Sequence, residues 1–171
     1  MYEVELVPGL RDIAPPEETG STFEENAALK ASFYSRLCHE PVFADDSGLE
    51  VDALGGAPGV HSARFAGVGA TNQDNNRLLL ERMAGQKNRT ARFVSVIALA
   101  DRGELRHSFR GTVEGELLYQ PRGDLGFGYD PLFYYPPFGC TFGEATREQK
   151  TGISARGCAL RLMVEAFLRQ A

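Results

Sequence analysis

The middle of the chain reads ARFVSVIALADRGELRHSFRGTVEGELL over residues 91–118. Residues 91–100 and 104–118 are rich in strand-forming side chains, and Asp101-Arg102-Gly103 separates them as a short turn. This pattern predicts two long antiparallel strands joined as a hairpin. Helical patterns lie on both sides of the hairpin. We therefore expect an α/β protein in which helices flank a sheet.

Two segments before the hairpin have the spacing of a capping box, in which a Thr and an acidic residue three positions later cap a helix start. The first is Thr22-Phe23-Glu24-Glu25, which predicts a helix that extends to about His39. The second is Thr71-Asn72-Gln73-Asp74. A last helix is predicted to begin near Ser154 and to run towards the C-terminal end.

Shorter strands and long loops complete the expected organisation. Residues 3–7 alternate between acidic and apolar side chains and predict a strand. Residues 41–44 predict a second short strand that ends in a turn at residues 45–48. Residues 49–70 and 121–139 are rich in glycine, so we expect irregular structure there. Segments of this length without regular structure are often functional.

The composition describes an ordinary folded chain. Its 171 residues, 43% of them hydrophobic and 24% charged, predict a single domain over residues 1–171. The longest strongly apolar run, residues 94–100, is too short to span a membrane. Cys38, Cys140 and Cys158 are odd in number and widely spaced, which favours a reducing, cytoplasmic setting without disulfides. The net charge of −5 argues against general nucleic-acid binding.

Acidic residues occur where the predicted strand 41–44 ends. Neighbouring strand residues point to opposite faces, so either Asp45 or Asp46 can face a given site. The alternative is a turn in which Asp and Ser side chains bind backbone amides. Glu17 and Glu18 lie in a loop and, together with Asp46, could supply oxygen ligands for Mg²⁺. An acidic pair in a loop is otherwise usually solvated.

The first predicted helix carries a lysine on an apolar stripe. Asn26, Lys30, Phe33 and Leu37 share one face, and we expect Phe33 and Leu37 to face the core. Lys30 would then be drawn inward, where an ammonium group needs an anion. Alternatively, Lys30 buries only its stem and extends its charge into water.

Two further groups of residues could bind a nucleotide. The Phe127-Gly128-Tyr129-Asp130 loop could stack an aromatic ring on a flat base while Asp130 binds the base edge. The alternative is an aromatic cluster that packs the loop onto the core. Lys150, Arg156 and the helix start at Ser154 could bind phosphate, or they could be ordinary surface charges.

Three segments together are shared with one family. They are TFEENAALKA (22–31), ADDSGLEVDALGGAPGVHSARFAG (44–67), and GFGYDPLF (126–133) followed by EQKTGISARGCALR (148–161). The chain resembles the inosine/xanthosine triphosphate pyrophosphatases from about residue 17 onward. The resemblance implies an elongated α/β fold with a long mixed sheet, two lobes around a central cleft, and a homodimer. It also implies Mg²⁺-dependent hydrolysis of ITP, dITP and XTP to the monophosphate and pyrophosphate.

The resemblance also implies a role for each matching residue. Asp46 would activate water or hold the metal, and Glu18 would be the second metal carboxylate. The residues implied to contact the nucleotide or its phosphates are Lys30, Ser47, Phe127, Gly128, Tyr129, Asp130, Lys150 and Arg156.

The chain departs from the family pattern at two places. The family opens with a strand and a glycine/asparagine/lysine phosphate-binding turn, whereas Glu3–Val7 here corresponds to the family's second strand. We therefore expect an open sheet edge, and a nucleotide-binding protein with impaired catalysis is the alternative function. Ala155 stands where the family has a histidine, so a pyrophosphatase with altered base preference is a further alternative.

Overall fold

The computed structural model describes residues 3–170. The helices are α1 (Phe23–Tyr34), α2 (Asn72–Arg82), α3 (Arg147–Thr151) and α4 (Ala155–Gln170). The strands are β1 (Val42–Val51), β2 (Thr90–Asp101), β3 (Glu104–Leu117), β4 (Phe133–Tyr135) and β5 (Cys140–Thr141). Short 3₁₀ helices cover Leu10–Asp12, Asp52–Leu54, Gly59–Arg64 and Pro136–Phe138.

The strands form one five-stranded sheet in the order β1-β2-β3-β4-β5. The predicted hairpin is confirmed as β2 and β3, which pair along almost their whole length. Each neighbouring pair of strands in the described part of the chain is antiparallel. Helices flank this sheet, which confirms the expected α/β class. β1 and β5 are the two edge strands of this sheet.

The two faces of the sheet are covered by different helices. The α1 side chains of Phe23, Ala27 and Ala31 pack against the even-numbered residues Val94, Val96, Ala98 and Ala100 of β2. Ala159 and Met163 of α4 pack on the opposite face, against Ile97. Because strand residues alternate in direction, consecutive residues of β1 also point towards different helices.

The buried face of α1 differs from the predicted one. Phe33 is only partly buried, and Leu37 is 52% exposed beyond the end of the helix, which lies at Tyr34 rather than near His39. The buried stripe runs instead through Phe23, Ala27 and Ala31, since the small alanines let the helix approach the sheet closely.

Two strand predictions were wrong. β1 does not end at Ala44 but continues through Asp45–Gly48 to Val51, because these polar residues pair with Val94–Ile97 of β2. Residues 3–7 are not in a strand, and Val4 and Leu6 are exposed. An alternating pattern forms a strand only when a neighbouring strand supplies hydrogen bonds.

The long loops agree largely with expectation. Residues 52–70 form 3₁₀ helices, turns and one isolated bridge from Pro58 to Glu50, whereas the predicted loop 121–139 includes the short strand β4. Cys38, Cys140 and Cys158 are free thiols. Within residues 3–170, no helix combines the length and the apolar character that a membrane span requires.

Candidate active site

Lys30 lies between two carboxylates. Its Nζ donates hydrogen bonds to Asp46 Oδ1 at 2.8 Å and to Glu18 Oε1 at 2.9 Å. Thr22 and Glu25 cap the start of α1 in a complete capping box, which fixes the helix two turns before Lys30. Lys30 is therefore directed inward towards β1, and its ammonium group is paired rather than extended into water.

Asp46 points towards α1 and is 8% exposed. Burial raises its pKa, and the hydrogen bond and charge of Lys30 act in the opposite direction without cancelling the effect. Burial alone would lower the pKa of Lys30, but the hydrogen bonds and charges of Asp46 and Glu18 outweigh it and raise that pKa. Asp46 Oδ2 is buried and has no hydrogen-bond partner. The site thus holds one unsatisfied carboxylate oxygen.

Asn26 positions the loop that carries Glu18. Its Oδ1 accepts the Gly20 N–H at 2.8 Å, which ties this loop to the first turn of α1. Its amide acts to lower the pKa of Asp46. Asn26 Nδ2, like Asp46 Oδ2, meets no partner at hydrogen-bond distance. A ligand oxygen near both atoms would satisfy the donor, and a cation would satisfy the acceptor.

Asp45 and Ser47 face the opposite side of the sheet, towards α4. Asp45 Oδ2 accepts hydrogen bonds from Arg156 Nη2 at 2.7 Å and Nε at 2.9 Å. Ser47 Oγ donates at 2.9 Å to Asp45 Oδ2 and lies 2.9 Å from Ser95 Oγ. The structure therefore brings Arg156 to Asp45 and not to the carboxylate of Asp46.

Lys150 belongs to a third group, in the glycine-rich loop. Its Nζ donates to Asp130 Oδ2 at 3.1 Å and to the Phe142 carbonyl at 3.0 Å. Burial raises the pKa of Asp130, while Lys150 opposes that shift. The Phe127 N–H also donates to Asp130, at 3.2 Å. The Phe127 ring is 73% exposed and so remains available for stacking.

The other two residues of this loop have structural contacts. Tyr129 is 4% exposed, and its hydroxyl donates to the Ser62 carbonyl at 2.8 Å. Burial raises the pKa of Tyr129. The Gly128 carbonyl accepts from Asn76 Nδ2 at 3.0 Å. Tyr129 therefore packs the loop onto the core, while Phe127 points outward.

Two carboxylates in this region could hold a divalent cation. Asp46 has a buried oxygen without a partner, and Glu18 forms an ion pair with Lys30, which also pairs with Asp46. Residues 3–170 contain no group of three or more His, Cys, Asp or Glu side chains arranged for a metal ion. A pair of carboxylates suits Mg²⁺, which takes its remaining ligands from water and phosphate.

A cavity of about 570 Å³ lies away from Asp46, Lys30 and Glu18. Its lining comes from β3, β4 and the beginning of α4, and includes Thr112, Tyr135, Cys158 and Arg161. None of the candidate site residues lines it.

Sequence reasoning assigned no role to two residues near the candidate groups. Arg64 Nη1 lies 3.8 Å from Glu18 Oε2 and adds a second cation beside that carboxylate. Ser62 contacts both β1 and Tyr129. Both residues lie in the segment 44–67, which carries the family resemblance. That resemblance was the sequence signal from which a role for Ser62 and Arg64 could have been suspected.

Comparison with known proteins supports the resemblance. A model described as the Ham1 family matches residues 1–166. A protein from an Exiguobacterium species, named dITP/XTP pyrophosphatase, is 52% identical over 160 residues, which cover 94% of this chain and 82% of the relative. A Thermus thermophilus protein of the same name is 52% identical over 154 residues, or 89% of this chain and 74% of the relative.

Solved structures give the same result. The Staphylococcus aureus Ham1 protein matches with a TM-score of 0.87 and 43% identity, covering 94% of this chain and 83% of that chain. A HAM1 protein from Coxiella burnetii matches with a TM-score of 0.87 and 41% identity over the same shares.

Proposed function

The chain belongs to the Ham1 family, and from this membership we infer that it is a nucleoside triphosphate pyrophosphatase. It hydrolyses deaminated purine nucleoside triphosphates (ITP, dITP and XTP) to the monophosphate and pyrophosphate. The inference is supported by relatives at 52% identity that are named dITP/XTP pyrophosphatase. Such an activity removes deaminated purine nucleotides from the nucleotide pool.

The observation that carries the proposal is the lysine shared by two carboxylates beside an unsatisfied oxygen. Lys30 Nζ contacts both Asp46 and Glu18, while Asp46 Oδ2 is buried without a partner. Leaving a buried acceptor unpaired costs about 1–3 kcal/mol. A bound ligand that pairs with this oxygen would remove that cost. The unpaired oxygen therefore favours ligand binding at this position, whereas it contributes nothing to the stability of the free protein.

The divalent cation of the proposal is Mg²⁺, which Asp46 and Glu18 would hold beside the substrate phosphates. When bound, the ion would neutralise charge that develops on the phosphates and the leaving pyrophosphate. Asp46 would orient the attacking water and accept its proton, for which a carboxylate with a raised pKa is better suited than an exposed one. Lys30 would hold both carboxylates in place through its two hydrogen bonds.

The remaining residues are proposed to bind the nucleotide. Phe127 would stack on the purine, and Asp130 with Lys150 would bind its edge, since these groups meet in one loop. Ser47 and Arg156, which share Asp45, would contact the nucleotide from the α4 side of the sheet. Gly128 and Tyr129 would shape the loop. A homodimer and a cytoplasmic location complete the proposal, on the strength of the family resemblance alone.

Product analysis tests the proposed reaction. The purified protein is incubated with ITP and Mg²⁺, and the products are separated by ion-exchange chromatography. We expect inosine monophosphate and pyrophosphate in equal amounts, and no orthophosphate unless inorganic pyrophosphatase is added. Inosine diphosphate with orthophosphate would contradict the proposed bond cleavage. Binding of inosine monophosphate without any turnover would favour the nucleotide-binding alternative.

A second candidate differs only in the purine that is preferred. Ala155 is the first residue of α4 and precedes Arg156, where the resembling family carries a histidine. Loss of an imidazole removes a polar contact from this position. A panel of ITP, XTP, dITP, GTP and ATP distinguishes the candidates: preference for ITP and XTP supports the first, and comparable turnover of GTP supports the second.

A further inference from the structure

A buried link joins the strand of Asp46 to the loop that carries Phe127. Ser62 lies in the 3₁₀ helix Gly59–Arg64 and contacts both segments. Its Oγ accepts the Leu49 N–H at 2.9 Å, and its carbonyl oxygen accepts the Tyr129 hydroxyl at 2.8 Å. Leu49 follows Asp46 by three residues in β1, and Tyr129 follows Phe127 by two.

The surroundings of Ser62 leave it little freedom to move. Its side chain also donates to the Gly59 carbonyl at 2.6 Å, so Oγ is used both as donor and as acceptor. A Cβ added at Gly48 would lie 2.6 Å from that same carbonyl oxygen and would clash with Ser62 Oγ. The close approach of this 3₁₀ helix to β1 therefore requires a glycine at position 48.

Burial makes both bonds of the link costly to break. Ser62 is 8% exposed and Tyr129 is 4% exposed, so water cannot readily replace a lost partner. The loop has a separate attachment to α2 through Asn76 and the Gly128 carbonyl. That contact steadies the loop, whereas Ser62 is hydrogen-bonded both to the loop and to the strand of Asp46.

We propose that Ser62 and Tyr129 are positioning residues that set the spacing between the Phe127 loop and the Asp46 carboxylate. This inference rests on the proposed function, in which the base binds at the loop and the phosphates bind at Asp46. One nucleotide must reach both places at once. A loop displaced by about an ångström still binds the base but presents the phosphates poorly. Loss of the link should therefore lower kcat while KM changes little.

The test uses Tyr129→Phe, Ser62→Ala and the double variant, with ITP as substrate. We expect each single variant to lower kcat by roughly five- to tenfold, as for one buried hydrogen bond, with KM within about twofold of wild type. The link needs both bonds. The double variant should therefore lower kcat about as much as the more severely affected single variant, and no further. Losses that multiply, or that appear mainly in KM, would overturn the proposal.

Tyr135→Phe is the matched control. Tyr135 packs beside the same core, and its hydroxyl makes no hydrogen bond within the described part of the chain. We expect wild-type kcat for this variant. An equal loss of kcat in Tyr135→Phe would show that general weakening of the core explains the effect.

Amide hydrogen exchange tests the link without depending on turnover. Ser62→Ala should raise exchange at the Asp130 amide, which donates to the Phe127 carbonyl, and Tyr129→Phe should raise exchange at the Leu49 amide. Unchanged exchange at both distant amides would overturn the link. A wild-type protein that does not hydrolyse any triphosphate in the panel would instead contradict the proposed function, and the exchange result would still decide the link.

Discussion

Asp45 and Asp46 are neighbours in β1, yet they contact cations on opposite faces of the sheet. Asp46 Oδ1 accepts a hydrogen bond from Lys30 of α1, and Asp45 Oδ2 accepts two from Arg156 of α4. The alternation of a β-strand produces this division. The two aspartates therefore serve as controls for each other, because the same substitution can be made on either face of the sheet.

Asp46→Asn should abolish most pyrophosphate release from ITP. The amide cannot accept the proton of water, and loss of a general base typically costs about 10²–10⁴-fold in rate. Asp45→Asn should lower kcat by less than about tenfold, because its contacts with Arg156 and Ser47 are partly exposed. Kinetics and circular dichroism of both variants check this. Equal activity of the two variants would remove Asp46 from the proposed chemistry.

Glu18 and its neighbour Glu17 allow a similar comparison for the metal. Mg²⁺ that binds the folded protein raises its melting temperature by mass action. We expect a saturating concentration of Mg²⁺ to stabilise wild type and Glu17→Gln but to have much less effect on Glu18→Gln. Glu17 is exposed, whereas Glu18 contacts Lys30. A chelator should stop pyrophosphate release in wild type and Glu17→Gln alike. Full stabilisation of Glu18→Gln by Mg²⁺ would exclude Glu18 as a ligand.

Removal of the Lys30 charge should change the pH dependence of catalysis. Burial already raises the pKa of Asp46, and Lys30 opposes that shift. In Lys30→Met the opposing charge is lost, so the pKa rises further and the ionised carboxylate is lost at a higher pH. The acidic limb of kcat/KM should move to higher pH. Lys87→Met changes an exposed lysine and should keep the wild-type profile. A shift to lower pH in Lys30→Met would contradict this account.

Phe127→Ala should weaken nucleotide binding without destabilising the fold. The ring is 73% exposed, so little packing is lost, whereas stacking on a base contributes about 1–3 kcal/mol. We expect KM for ITP to rise by at least about fivefold, with an unchanged melting temperature. Tyr119 is similarly exposed, at 71%, and Tyr119→Ala is the control for loss of a surface aromatic residue. An unchanged KM in Phe127→Ala would remove stacking from the proposal.

Local sequence signals predicted the parts of the fold that depend on neighbouring residues. Both capping boxes form, with Thr22 bound to the Glu25 amide and Thr71 bound to the Asp74 amide. The hairpin also forms, since its turn and strands are contiguous. These features need no information about distant residues.

β1 shows why other parts could not be predicted. Asp45–Gly48 has the composition of a turn, and only distant partners make it a strand. Arg156 is 111 residues from Asp45, and Ser95 is 48 residues from Ser47. The same holds for the site: the spacing on α1 suggested that Lys30 needed an anion, but the pairing of Lys150 with Asp130 and of Arg156 with Asp45 depends on tertiary structure.

Gly111 tests how closely α4 must approach the sheet to carry Arg156 to Asp45. A Cβ at this position would clash with the Ala155 carbonyl and lie 2.5 Å from the Ala159 nitrogen, both in the backbone of α4. Gly111→Ala should therefore force the helix outward and destabilise the protein by about 1–3 kcal/mol, as overpacking typically does. For a chain of this size, that corresponds to a melting temperature lower by roughly 2–12 °C. Gly152→Ala is the matched control, because Gly152 has a φ of −76° and open space where its Cβ would lie. Thermal unfolding followed by circular dichroism compares the two. Equal melting temperatures of the two variants would mean that α4 can move away from the sheet without loss of stability. The contact between Arg156 and Asp45 would then not depend on this close packing.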